Sequence, residues 1–238
     1  MSIRNNYKHT LTASYFGYIT QAIVNNFAPL LFVTFQRSFG VSLEKIAGLV
    51  TVNFCFQLII DLVSAKFIDR IGYRVSIVAA HLFAGAGLIM LGTLPFALPD
   101  PYIGLLISIG FYAVGGGLIE VLISPIVEAC PTDKKSAAMS LLHSFYCWGH
   151  VAVILLTTLF FVTAGIENWR VLAYLWAIVP FANAVYFCLV PINSLAAEGG
   201  AAPMKELFKS KLFWILAVLM VCSGASEQAM SQWSSAFA

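Results

Sequence analysis

Seven long apolar runs decide what this chain can become. They cover roughly residues 11–35, 46–65, 75–97, 102–129, 136–164, 169–192 and 212–238. Each is long enough to cross the hydrocarbon core of a bilayer as a helix, which takes about 20 residues. Strands do not run to such lengths, and in hydrocarbon every backbone N–H and C=O must bond within its own segment, so helices are the structure these runs impose. The first run is too long and too polar for a signal peptide and lacks a small-residue cleavage pattern. The expected fold is therefore an all-α membrane protein: a six-helix N-terminal transmembrane bundle over 1–192, then a seventh transmembrane helix from 212.

Composition closes off the alternatives. The chain is 60% hydrophobic and 10% charged, whereas a soluble globular chain carries about 25% charged residues. Most soluble enzymes are thereby excluded. A nucleic-acid-binding module is excluded too, because the net charge of +2 comes with no clustered basic face. The lipid bilayer is the first partner to expect. Cys55, Cys130, Cys147, Cys188 and Cys222 are odd in number and scattered, with no disulfide framework or metal-ligand spacing. They read as small packing residues, and no metal or cofactor is expected.

Basic residues set the direction of insertion. On one set of alternate sides lie Arg4, Lys8, Lys66, Arg70, Arg74, Lys134, Lys135, Lys205, Lys209 and Lys211, while the other set holds only Arg37, Lys45 and Arg170. Short cytoplasmic loops are the basic ones, so the N-terminus is expected inside a plasma (inner) membrane. The one long connection, 193–211, contains Gly199, Gly200 and Pro203 and then alternates apolar Met204, Leu207, Phe208 and Leu212 with lysines. It reads as a cytosolic linker whose later part lies at the membrane surface as an amphipathic helix begun by Pro203.

A weak internal repeat supports a boundary at that linker. Gly17, Gln21 and Ala22 of the first run align with Gly224, Gln228 and Ala229 of the seventh. Parallel repeats build many transporters, so residues 212–238 read as the first helix of an incomplete second bundle. The chain then stops inside that helix, at Ser235-Ala-Phe-Ala238.

Polar residues are distributed unevenly among the runs. The third and sixth carry little beyond His81, Asn183 and a few hydroxyls, and are expected to face lipid. In the others, polar side chains recur at helical spacing: Gln21 and Asn25; Asn53, Gln57 and Asp61; His143, Tyr146 and His150; Gln228 and Gln232 beside Glu227. One face of each such helix is then wet or hydrogen-bonded, as a central aqueous cavity requires. The bland alternative is interhelical glue, in which amides hold helices together for roughly 0.6–2 kcal/mol each; for His81 and Asn183 that is the favoured reading. A carboxylate at mid-helix is costlier, roughly 2.5 kcal/mol or more when charged. Glu120, midway along the fourth run, is accordingly the leading candidate for proton coupling or solute binding, with Glu227 second. Gly115, Gly116 and Gly117 precede it and Pro125 follows, a pattern for close helix packing or for a hinge. Asp61 lies about two turns from the end of its run, as a gate-pairing residue or one that reaches the interface.

The loop between the second and third runs reads Ala65-Lys-Phe-Ile-Asp69-Arg70-Ile-Gly72-Tyr-Arg74. It resembles the signature of the major facilitator superfamily, Gly-x-x-x-Asp-Arg-x-Gly-Arg-Arg, in that same loop. Asp69, Arg70, Gly72 and Arg74 match; Ala65 and Tyr73 depart from it. Gly72 suits a tight turn, and Asp69 with Arg70 and Arg74 can form a charged latch at the helix ends. The resemblance implies a cytosolic gate there, with twelve helices in two bundles and the solute held between them, so that a C-terminal half would be missing from this chain.

A narrower resemblance is to the fucose-proton symporter branch of sugar transporters. Leu118-Ile-Glu120-Val-Leu-Ile-Ser-Pro125 is similar to the branch's fourth helix, and His143-Ser-Phe145-Tyr-Cys-Trp-Gly149 to its fifth, with His143 in place of a sugar-contacting glutamine. The branch's first-helix aspartate falls at Pro29 here, so coupling through that carboxylate is impossible.

The function these readings favour is secondary active transport of a small polar solute, a sugar or related compound, by alternating access and with a proton as candidate co-ion. Gln21, Asn25, Asn26, Glu120, His143 and Tyr146, with Gln228 and Gln232 of the seventh run, would bind the solute. Amides and imidazole suit hydroxyl-rich solutes because each both donates and accepts, and Trp148 or Trp233 could stack on a sugar ring. The alternatives are a non-transporting remnant or assembly partner, and a seven-helix receptor. The receptor is opposed by the basic bias, since its N-terminus lies outside. An enzyme is opposed by the absence of any close metal or nucleophile constellation, His143 and His150 having no acidic partner between them.

Overall fold

The computed structural model describes residues 3–193 and 208–237, and the side chains among these other than 65, 66, 69 and 234–237. Most of the expected linker, including Met204 to Leu207 of its amphipathic part, lies outside the described residues. Contacts divide the chain into two units, Met1–Ser194 and Leu195–Ala238. Among the described residues seven segments are long and apolar enough to cross a membrane, and the described secondary structure is helical throughout.

The first apolar run is not one continuous helix. Helix α1 spans Tyr7–Asn26, with the Asn6 side chain accepting from the Lys8 N–H as its N-cap. A 3-10 turn follows over Ala28–Leu31 and then α2 over Phe32–Phe39, closed by Gly40 at φ +65°. Pro29 explains the interruption, because it has no N–H to donate and its ring collides with the preceding turn. Helix α3 is Leu43–Ile71, capped by Ser42, and α4 is Tyr73–Ala97. Gly72 alone separates them, at φ +89°, a backbone region open to glycine and costly for other residues. Helix α5 spans Pro101–Glu128; Asp100 caps it by accepting from the Tyr102 N–H at 2.9 Å, with Pro101 in the first turn. Helix α6 is Lys135–Ala164 and α7 is Trp169–Leu189. The second unit carries α8, Lys211–Phe237.

In the first unit, α5 packs on α4, α3 and α1, while α1 also packs on α6 and α4 on α7. The third run, α4, is not the lipid-facing helix its low polarity suggests. Its most apolar window is 56% buried, against 22% for α3 and 17% for α6. Small residues are the cause. A Cβ on Gly87 would lie 2.5 Å from the Tyr112 N, and one on Gly115 would lie 2.5 Å from the Ala84 N and 2.6 Å from the Ala80 O. Backbones that approach this closely bury a helix whether or not it carries amides.

The two polar side chains of α4 and α7 act between helices. The Asn183 Nδ2 donates to the Ala13 carbonyl at 3.0 Å and lies 2.9 Å from His81 Nε2, while His81 Nδ1 lies 2.8 Å from the Ile77 carbonyl. These contacts hold a neutral imidazole protonated on Nδ1, which leaves Nε2 free to accept from Asn183. Both side chains are buried, and the set ties α1, α4 and α7 together.

Candidate functional site

The polar centre of the first unit is built around three successive glycines of α5. Residues one apart on a helix point about 100° apart, so Gly115, Gly116 and Gly117 each meet a different neighbour. Gly115 meets the α4 backbone. A Cβ on Gly116 would lie 3.1 Å from Val24 Cγ1 and 3.2 Å from Gln21 Oε1 of α1. One on Gly117 would lie 3.1 Å from both the Cα and the carbonyl O of Gln57 in α3. The glycines thus bring α1, α3 and α4 onto α5 at one height, and the amides of α1 and α3 come with them.

Gln57 Nε2 donates to Asn25 Oδ1 at 3.0 Å and to Asn53 Oδ1 at 3.2 Å, which joins α1 to α3. Gln21 Nε2 reaches Glu120 Oε2 at 3.4 Å, which joins α1 to α5. Gln21, Asn25, Asn53 and Gln57 are buried, whereas Glu120 is exposed. Asn26 is buried as well, and its Nδ2 donates to the Ala22 carbonyl of its own helix at 2.8 Å.

One turn from that contact a second rung crosses between the same helices. The Tyr18 hydroxyl lies 3.0 Å from Ser124 Oγ. The Tyr18 ring faces α6, with its centroid 5.6 Å from His143 and 6.3 Å from Tyr146. His143 is exposed and Tyr146 partly so. Gln21, Glu120, Tyr18, Ser124, His143 and Tyr146 therefore form one continuous polar and aromatic surface on α1, α5 and α6. Tyr18 and Ser124 were not among the residues singled out from the sequence, although the signal was there: Tyr18 precedes Gln21 by three and Ser124 follows Glu120 by four, both on the same helix faces. Trp148 stands apart from this surface. It packs edge-on against Phe145, whose ring stacks on Tyr15 at 4.6 Å.

Asp61 lies on α3 one turn beyond Gln57. Its Oδ1 is buried and has no hydrogen-bond partner among the described residues. Glu227, Gln228 and Gln232 sit on α8 in the second unit, Gln228 and Gln232 one turn apart on one face.

At the α3–α4 turn, Gly72 has a positive φ of +89° and its N–H bonds to the Ile68 carbonyl at 2.8 Å. Arg74 donates from Nη1 to the Phe187 and Cys188 carbonyls at 2.8 and 3.1 Å. Its charge therefore sits on the open carbonyls that end α7, where the helix dipole favours a cation. Arg70 is exposed, and the Asp69 side chain lies outside the described residues. Among the described residues no group of three or more His, Cys, Asp and Glu side chains is arranged to hold a metal ion. Cys130 is buried, donates to the Ile126 carbonyl, and has its thiol pushed up to about 11 by desolvation. The other four cysteines are exposed rather than packed inside.

The family model described as the Major Facilitator Superfamily covers residues 14–238. No curated protein matches the chain.

Proposed function

The chain belongs to the major facilitator superfamily, and from that premise we propose that it serves secondary transport of a small hydroxyl-rich solute, a sugar or related compound, by alternating access. It sits as a multi-pass protein in the membrane, in this reading the plasma membrane with the N-terminus in the cytoplasm, as the basic loops require. The observation that carries the reading is the buried amide network of Gln21, Asn25, Asn53 and Gln57 opening onto exposed Glu120. Simple glue between helices would leave no carboxylate at the open end, because a carboxylate facing lipid is expensive.

The solute lies against Gln21, Glu120, Tyr18, His143 and Tyr146. The amides and imidazole donate to and accept from hydroxyl groups, and the tyrosine rings supply flat apolar faces. Glu120 also exchanges the coupling proton, since the first-helix position that serves the fucose branch is occupied here by Pro29. Gln228 and Gln232, and Glu227 as a second acidic group, extend the same chemistry on α8. Asp69, Arg70, Gly72 and Arg74 form the cytosolic gate.

Solute counterflow in liposomes tests this. Radiolabelled fucose and glucose should exchange into vesicles bearing the protein, and the Glu120→Gln variant should lose the proton dependence of net uptake while retaining exchange. No exchange of any sugar sinks the solute class, and unchanged proton dependence in the variant removes Glu120 from coupling.

A further inference from the structure

The polar centre is rich in acceptors that lack donors. Gln21 is 3% exposed, yet its Oε1 is buried with no hydrogen-bond partner among the described residues. Asp61 Oδ1 is in the same condition, and among the described residues Glu120 accepts one long bond of 3.4 Å, from Gln21. Three helices bring these groups to one level. Gln57 of α3 is bonded to Asn25 of α1, and these helices run in opposite directions. One turn forward on α3 is Asp61, and one turn back on α1 is Gln21. On α5, which runs parallel to α3, Gly117 lies against Gln57 and the next turn brings Glu120 beside Asp61.

The stretches of α1, α3 and α5 that reach this level carry no positive charge. Neither Lys nor Arg occurs between residues 9 and 36, 46 and 65, or 75 and 133, the stretches that supply α1, α3 and α5 here. The titratable groups around Glu120 are Tyr18 on α1, Asp61 on α3 and, across the Tyr18 ring, His143 on α6. A buried acceptor without a donor costs about 1–3 kcal/mol, more when charged. A ligand that brings both donors and positive charge removes that cost. An ammonium group has three N–H donors and no acceptor, so it can bond two carboxylates and an amide oxygen at once.

We propose that the transported solute carries a protonated amine, held by Glu120, Asp61 and the Oε1 of Gln21. The inference rests on the solute-binding role given above to the α1–α5 surface, and it narrows the solute to a hydroxylated compound bearing one ammonium, such as an amino sugar. A proton on Glu120 and an ammonium beside it compete for the same carboxylate.

Matched pairs of solutes test the assignment on the purified protein. Binding of glucosamine is compared with that of glucose, and of aminosorbitol with sorbitol, by isothermal titration in detergent at neutral pH in potassium buffer. The amine of each pair should bind about ten-fold tighter or better, the effect of charge-assisted hydrogen bonds. Glu120→Gln and Asp61→Asn, nearly isosteric, should each reduce that preference without changing the elution profile. Equal binding within pairs, tighter binding of the neutral member, or a preference untouched by both variants overturns the amine while leaving the sugar reading standing. Sodium chloride displacing the amines at equal concentration overturns it in favour of a metal cation. Binding of no member of either pair sinks both readings together.

Discussion

Tyr18 joins the two halves of the candidate site, bonding Ser124 through its hydroxyl and facing His143 and Tyr146 with its ring. These two functions can be separated. Tyr18→Phe keeps the ring and loses a neutral hydrogen bond of net value about 1 kcal/mol, so solute affinity in counterflow should fall by about five-fold or less. Tyr18→Ala removes the ring as well and should fall much further. If the two variants behave alike, the ring has no part in binding. Cys130 makes a contrasting single-residue case. With its thiol pushed up to about 11, the reactive thiolate is scarce below that pH and grows as pH rises towards it. Peptide mapping after maleimide treatment should find Cys130 unmodified at about pH 7 and increasingly modified above about pH 10, unless the protein is first denatured. The candidacy of Glu120 was legible from its residue type and depth alone, because a mid-membrane carboxylate needs a reason. The position of Asp61 was not: whether it meets a gate or the polar centre depends on which helix α3 packs against, and no spacing within α3 contains that.

At the scale of elements, hydropathy located every span, but burial followed a different signal. Polar stripes identified the faces that carry Gln21 and Gln57, since amides recur with the helical period. They misplaced α4, whose burial is set by Gly87 and by Ala80 and Ala84 against Gly115. Small residues carry no polarity, so a reading based on polar load does not register them. The break at Pro29 was visible as a residue and became a 3-10 turn because a proline inside a long helix removes a bond and crowds the turn before it. Two glycines of α5 separate close packing from mere helix content. Alanine at Gly110 would lie 3.8 Å from the Phe56 ring, whereas at Gly115 it would enter the α4 backbone at 2.5 Å. Gly110→Ala should therefore be neutral or gain up to about 1 kcal/mol from helix propensity, and Gly115→Ala should lose about 1–3 kcal/mol from overpacking. Thermal melts in one detergent compare the two directly. Equal melting temperatures would mean that α4 and α5 can separate at no cost.

Taken whole, the first unit is bonded at both ends and polar in the middle. At one end Arg74 caps α7, Tyr7 donates to Asn193 Oδ1 at 2.6 Å, and His9 Nδ1 lies 2.7 Å from the Tyr186 hydroxyl. At the other, the Arg170 guanidinium lies 4.1 Å from the Phe96 ring centroid and its Nε donates to the Gly92 carbonyl at 2.7 Å. Trp169 meets both Phe35 and Phe96 there. A body tied at its ends can rock as a unit while the groups at mid-height change partners, which is what alternating access asks of it. Arg74 is the sharpest test, because the resemblance at the α3–α4 turn assigns it to a charged latch while its bonds go to the carbonyls ending α7. Arg74→Ala leaves those carbonyls without their donor and should cost about 1.5–3 kcal/mol, the range for hydrogen bonds to a charged group. The loss should be local. Hydrogen exchange should accelerate for the last turn of α7 and the segment through Asn193, while amides of α5 near Glu120 keep their protection and solute binding is unchanged. A variant that instead loses solute binding with exchange at α7 unaltered would put Arg74 in the gate alone, with no part in holding the bundle together.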